Sequence, residues 1–309
     1  MTLFKQIRYG TPFFPMTVTR ILPSFPPNSF FSITDPESSK VKEMDIMGPR
    51  SSESILKTVG VPSVSVIVGC TESMQNLYRW QQQLIYKMGR AGFSQYMTRR
   101  MRIGTRFHSV VEALLKELKV HGEIRSTPEE ILASKPNWSE LSGELTPYFT
   151  GLLPFLKSLN PNPNIILEGK VDNPFLCFKG RFDAIVEIDG ELTLVDWKTI
   201  NKESVKSNNL TAQTPEDLYT NPLQLAAYVS AVNACSLYSD LPRIQKAAIV
   251  LAYENRDTVE VVKMDLESIQ GHFKEFLSRV NRFWWDVEHK PEKGGLLNFV
   301  HNPKVEQAT

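Results

Sequence analysis

The chain has 309 residues, 41% of them hydrophobic, with a formal net charge of +1. That supports a sizeable core, and the bulk charge argues for no polyanionic partner, so any such case must rest on local patches. No run approaches the ~18–20 apolar residues that a spanning helix needs, and Cys70, Cys177 and Cys235 are too scattered for a disulfide scaffold, a zinc site or an iron–sulfur cluster.

Residues 1–34 contain Lys5, Arg8 and Arg20, no acid, and many Ser, Thr and Phe residues. This composition predicts a mitochondrial transit peptide. Residues 35–60 are polar and Ser/Pro-containing and read as a flexible linker. The folded domain is expected over 61–290, with 291–309 a C-terminal tail. Val64–Val68 reads as a short strand or extended lead-in. Ser73 to about Gly89 reads as a helix with Leu77, Trp80 and Leu84 on one stripe, and a second helix is expected to start at a Thr105 N-cap and to carry Phe107, Val110, Val111, Leu114, Leu115 and Leu118. A third helical region covers about 142–158, interrupted by Pro147 and Pro154.

The period then changes. Strands are predicted over 165–171, 175–188 and 191–199, the last two joined by Asp189-Gly190, a strong short-range hairpin signal. A long polar loop, about 200–220, precedes a helix over 222–233. A second hairpin follows over 246–253 and 258–263, then a long amphipathic helix over 266–287. This order predicts an α/β domain with helices on a mixed sheet.

The first hairpin carries the chemistry. A two-residue loop pairs Ile188 with Glu191, and counting back equally along both strands sets Asp183 opposite Asp196. Directly opposed side chains have Cβ atoms roughly 5 Å apart, and at an effective dielectric of about 20 the carboxylates repel by on the order of 3 kcal/mol. A structural sheet gains nothing from that, whereas a divalent cation reverses its sign. Lys198, two residues beyond Asp196, shares its face, while Trp197 points into the core. Two acids and a lysine on one patch suit Mg²⁺ or Mn²⁺ bound by oxygen, with the lysine aiding water attack or stabilising developing charge.

Other residues are candidates for support. His108 is expected in the first helical turn, where the positive helix end disfavours its protonation, with Glu112 one turn on. Gln224 and Tyr228 share a helix face, and Glu168 is a charge inside an apolar strand run. From Ser73 to Val111 there is no acid, while Arg79, Lys87, Arg90, Arg99, Arg100, Arg102 and Arg106 are interleaved with Tyr78, Trp80, Tyr86, Phe93, Tyr96 and Phe107. That mixture suits single-stranded nucleic acid, charge following phosphate and rings stacking on bases. A solvated basic face over core aromatics is the plainer alternative.

Taken in order, Thr105-Arg-Phe-His108-x-x-x-Glu112, Glu168, Gly180-Arg-Phe-Asp183, Asp196-Trp-Lys198 and Gln224-x-x-x-Tyr228 resemble the PD-(D/E)xK nuclease superfamily in its RecB-type branch. Stretches around Pro62-Ser63-Val64, Arg79-Trp80, Gly92-Phe93, Asn221-Pro-Leu-Gln224 and Val195–Thr199 resemble the mitochondrial genome-maintenance exonucleases within it, over about 61–265. The resemblance implies a restriction-endonuclease-like core and Mg²⁺ or Mn²⁺ held by His108, Asp183, Asp196 and the Trp197 carbonyl, with Asp183, Asp196 and Lys198 catalytic. Glu168, Glu112, Gln224 and Tyr228 support the site, and DNA-binding is expected of Arg79, Lys87, Arg99, Arg100, Arg102 and Arg106. It further implies exonucleolytic cleavage of single-stranded DNA, including flaps, in the mitochondrial matrix beside the DNA replication machinery. The four-cysteine iron–sulfur cluster of some relatives has no counterpart here. A structure-specific endonuclease of the same fold, or a non-catalytic DNA-binding protein on a decayed one, are the alternative readings.

Overall fold

The computed structural model describes residues 4–22, 31–38, 41–136, 138–201 and 213–300. Its centre is a five-stranded mixed sheet of order β3-β4-β5-β6-β7: β3 (Ile166–Asn173), β4 (Phe178–Ile188), β5 (Glu191–Ile200), β6 (Lys246–Tyr253) and β7 (Glu260–Met264). Only β5 and β6 run parallel, and helix α5 (Asn221–Ala234) makes the crossover between them, as parallel neighbours require. Asp189 and Gly190 both take positive φ (52° and 80°), the twist a two-residue hairpin loop needs.

Both faces of the sheet are covered. β6 shows why the sequence runs apolar without a break: Ala247, Ile249, Leu251 and Tyr253 enter one core cluster, and Ala248, Val250 and Ala252 enter the other. The first cluster is built by α1 (Val64–Thr71), α5 and α6 (Leu266–His289). The second is built by α2 (Gln75–His121), α3 (Pro128–Ala133) and α4 (Ser142–Ser158). The long helix α6 starts where Asp265 accepts a hydrogen bond from the Ser268 N–H (2.9 Å), and it lays Phe273, Phe276, Leu277, Val280, Phe283 and Trp284 into the core. Among the described residues no helix is long and apolar enough to cross a membrane.

Two expectations need correction. Val64–Thr71 is a helix, not a strand: Ser63 accepts from the Val66 N–H (3.3 Å), and Val64, Val66, Ile67 and Val68 are all buried. A short apolar run buried on most sides has no periodicity to separate the two cases. Helix α2 does not begin at Thr105. It runs through Gly104 and Thr105, and its only break is Gly89, at φ 73° and ψ 170°.

The chain ends fold where a transit peptide and a tail were expected. β1 (Lys5–Thr11) and β2 (Phe14–Ile21) form a hairpin, and β1 pairs in parallel with β9 (Leu296–Val300), which pairs with β8 (Glu292–Lys293). Ile7, Tyr9, Ile21, Leu297 and Phe299 join the main core. The presumed linker contributes too. Phe31, Met44 and Ile46 are buried, Ser54 and Ile55 bond the buried Asp172 carboxylate, and Arg50 Nη2 donates to the Leu241 carbonyl (2.7 Å). Most of the 200–220 loop, residues 202–212, and the end of the expected tail, 301–309, lie outside the described residues.

Candidate active site

β4 and β5 pair in the register that the Asp-Gly turn sets, from Ile188↔Glu191 to Ala184↔Val195. One step further along, Asp183 and Asp196 stand where the ladder opens, and the Asp183 Oδ2 accepts a hydrogen bond from the Trp197 N–H (2.9 Å). The β3–β4 ladder is interrupted at the same level. Leu167↔Ala184 and Gly169↔Phe182 pair, and Glu168 between them adopts φ 49°. Glu168, Asp183 and Asp196 therefore form one row across three adjacent strands. Left-handed backbone at a non-glycine residue costs on the order of 1 kcal/mol or more and is retained where the surroundings impose it.

Helix α2 closes this row. Its His108 Nδ1 lies 3.3 Å from Asp183 Oδ2, the oxygen that also takes the Trp197 N–H. The ligand atoms of His108, Glu168 and Asp183 all fall within 4.8 Å of one another. Asp196 is drawn instead onto Lys198, whose Nζ is 2.9 Å from Oδ1 and 2.7 Å from Oδ2. Only the Oδ1 contact has hydrogen-bond alignment, and Oδ2 is buried without a hydrogen-bond partner among the described residues.

The electrostatics follow the geometry. Burial pushes the Asp196 carboxyl above its ordinary value against the pull of Lys198, and Asp183 adds repulsion. Asp183 is buried too, but the hydrogen bond and charge of His108, with Lys198 and the Trp197 N–H, hold it below the ordinary value. Burial works against the His108 cation, yet Asp183 and Asp196 more than offset it and raise its pKa. The expectation that a helix N-terminus lowers it therefore fails, since His108 sits well inside α2. Burial also raises Glu168, opposed by Arg181 and assisted by Asp183 and Glu112.

The supporting residues separate. Tyr228 reaches the site: burial and the charges of Asp196 and Asp183 raise its hydroxyl, and its ring lies so close to Gly180 that a Cβ there would stand 2.5 Å from Cε1. Gln224, one turn earlier on α5, is half-buried and donates no side-chain hydrogen bond among the described residues. Glu112 pairs with Lys116 (2.7 Å). The Trp197 side chain leaves the site for the opposite core, against Phe155, so only its backbone takes part.

The basic window also divides. Arg99 pairs with Glu144 (2.7 Å), Arg102 pairs with Glu140, Arg106 is buried 3.5 Å from that same Glu140, and Arg100 packs over the Tyr96 ring (5.7 Å). Arg79 and Lys87 are exposed, and no ion pair engages them among the described residues. One residue that sequence reasoning left without a role stands in the row: the Arg181 Nε is 2.6 Å from Glu168 Oε2. Its place within Gly180-Arg-Phe-Asp183 was the available signal, but the strand register that sets it beside Glu168 was not.

Three carboxylates and an imidazole are a donor set for a hard divalent cation. A PD-(D/E)XK nuclease superfamily profile matches residues 74–292. The chain belongs to the PD-(D/E)XK nuclease superfamily. Its mixed sheet with helices on both faces is consistent with the fold of that superfamily. Curated relatives include mitochondrial genome maintenance exonuclease 1 of Homo sapiens, 27% identical over 261 residues, covering 83% of this chain and 67% of the relative. The Mus musculus protein of that name is 27% identical over 233 residues (74% and 60%), and the Xenopus tropicalis protein 28% over 236 residues (75% and 60%). The aligned part of this PD-(D/E)XK chain thus spans between 60% and 67% of those relatives' lengths.

Proposed function

We propose that this chain is a Mg²⁺-dependent exonuclease that hydrolyses single-stranded DNA, including flaps, in mitochondrial DNA maintenance. The observation that carries the reading is the acid row Glu168–Asp183–Asp196 with Lys198 at its end, in a chain of the PD-(D/E)XK superfamily. His108, Asp183, Asp196 and the Trp197 carbonyl would hold the cation, with Glu168 near enough to join them. When bound, the cation neutralises the clustered carboxylates and polarises the phosphate and the attacking water.

The protein's own groups do the rest. The Trp197 N–H and His108 fix Asp183 through Oδ2. Lys198, cationic and half-buried, is placed to orient water and to stabilise charge on the phosphate as it pentacoordinates. Tyr228 stays protonated, so its hydroxyl is a hydrogen-bond donor rather than a base. Arg79 and Lys87, with exposed Tyr86, offer the phosphate and base contacts of a single-strand track.

The mitochondrial role is supported by the relatives' names and by the transit-like composition of the first 34 residues. The test uses end-labelled linear single-stranded DNA, the same sequence as a closed circle, and duplex, each with Mg²⁺ or EDTA. The reading expects the linear strand alone to be degraded, and only with Mg²⁺. A circle cut as fast as the linear strand would make the protein an endonuclease, and no cutting with strong binding would make it a non-catalytic binder.

A further inference from the structure

Arg181 has no part in the chemistry above, yet it stands at the row of acids. Its Nε lies 2.6 Å from Glu168 Oε2, and the guanidinium side is 58% exposed while the glutamate side is 18% exposed. Glu168 is thus used twice. It neutralises Arg181, and its other claim is membership of the cluster with His108 and Asp183. Its own backbone is held at φ 49°, which fixes where the carboxylate starts from. An ion pair with one partner this exposed is weak and readily exchanged, and a planar guanidinium suits a phosphate at least as well as a carboxylate.

We propose that Arg181 is a DNA-phosphate-binding residue that Glu168 holds off the strand, so that engaging or neutralising Glu168 releases the guanidinium to a backbone phosphate beside the reacting one. The inference rests on the single-strand reading above. It couples occupation of the acid cluster to grip on the substrate. With Glu168 on Arg181 the protein holds DNA loosely, and a divalent cation that claims Glu168 strengthens the grip where cleavage occurs.

The test measures binding of a fluorescent oligo-dT by anisotropy in EDTA over a salt series, for wild type, Glu168→Gln, Arg181→Gln, the double variant and a charge control, Glu112→Gln. Glu168→Gln is expected to bind more tightly and to steepen the plot of log K against log salt by about 0.7, the increment for one more phosphate on a single strand. Arg181→Gln and Glu112→Gln should match wild type in slope, and the double variant should return to the Arg181→Gln slope. If the double variant keeps the gain of Glu168→Gln, removal of a negative charge explains it and the inference is wrong. If no single variant changes the slope, the inference also fails while the single-strand reading stands. Failure of wild type to bind oligo-dT at all would overturn both.

Thermal melts check that each variant folds. Should Glu168→Gln not fold, the same question is answered in a Lys198→Ala background, which blocks cutting: adding Ca²⁺ should steepen the salt slope with Arg181 present and not with Arg181→Gln. Equal responses would overturn the proposal.

Discussion

The molecule contains two sheets that reach their pairing in opposite ways. In the five-stranded sheet, the β4–β5 hairpin closes through a two-residue loop, and that local register alone puts Asp183 beside Asp196. In the four-stranded sheet, Gln6 pairs with Leu296 and Ile7 with Leu297, so strands from the two ends of the chain meet. The first is stabilised by its turn and carries unfavourable charge at its open end. The second carries no candidate chemistry and is stabilised by what it buries. Activity should therefore respond to the first sheet and stability to the second.

The largest effect is expected at the acid row. Asp196→Ala and Lys198→Ala should each lower cleavage of linear single-stranded DNA by at least about 10²-fold, the range for losing one preorganised charge-stabilising group, while oligonucleotide binding persists because phosphate contacts lie elsewhere. Full activity in Asp196→Ala would break the assignment.

The terminal sheet should show the reverse. Ile7 and Leu297 are nearly completely buried. Ile7→Ala should cost about 2–4 kcal/mol and lower Tm by roughly 5–10 °C, with specific activity of the folded fraction retained. Removal of residues 1–34 should be worse, giving a chain that melts early or fails to fold. An unchanged melting curve for that deletion would show the hairpin to be dispensable.

Within α2, the arginines divide by their partners. Arg79→Glu with Lys87→Glu should reduce the salt slope of single-strand binding by roughly 1.4, at about 0.7 per phosphate. Arg99→Glu with Arg102→Glu should change it less and show as lost stability, because the new charges face Glu144 and Glu140. Equal effects would mean that the whole window grips DNA.

The smallest effect concerns pH in the metal-free protein. His108 is raised above 6.5, so its contribution is complete below that value and is lost as pH rises through the higher folded pKa. Asp183 is lowered below 3.8, so its contribution is complete above that value and is lost as pH falls through the lower folded pKa. Urea melts of wild type and His108→Ala in EDTA should differ most between these limits, and the difference should shrink as pH rises further. Mg²⁺ affinity should increase over that upper range, because the imidazole must shed its proton to ligate. A stability difference that widens above neutral pH would contradict the His108–Asp183 pairing.

Legibility followed locality. Asp189-Gly190 sets a register within a few residues, so Asp183, Asp196 and Lys198 could be placed from sequence, as could the inward turn of Trp197. Glu168 stands out in the sequence only as a charge inside an apolar strand run and Arg181 not at all, because β3 and β4 are joined through Pro174–Cys177, with Cys177 at φ 50° and no two-residue turn signature to set their register. The helix start read at Thr105, from which a neutral His108 was expected, is not there: a helix tolerates Gly104 and Thr105, and the real break is the left-handed Gly89. The terminal strands were not legible, because composition reports charge and polarity, whereas the pairing of residue 7 with residue 297 joins the two ends of the chain.

The central claim is that the acid row is a metal site. Crystals grown with Mn²⁺ and measured at an energy where manganese scatters anomalously test it most directly. The account predicts a peak about 2.0–2.3 Å from carboxylate oxygens of both Asp183 and Asp196, with the buried Asp196 Oδ2 turned onto it and Lys198 moved aside. A map with no peak there, in a protein whose Asp196 remains paired to Lys198, would contradict it.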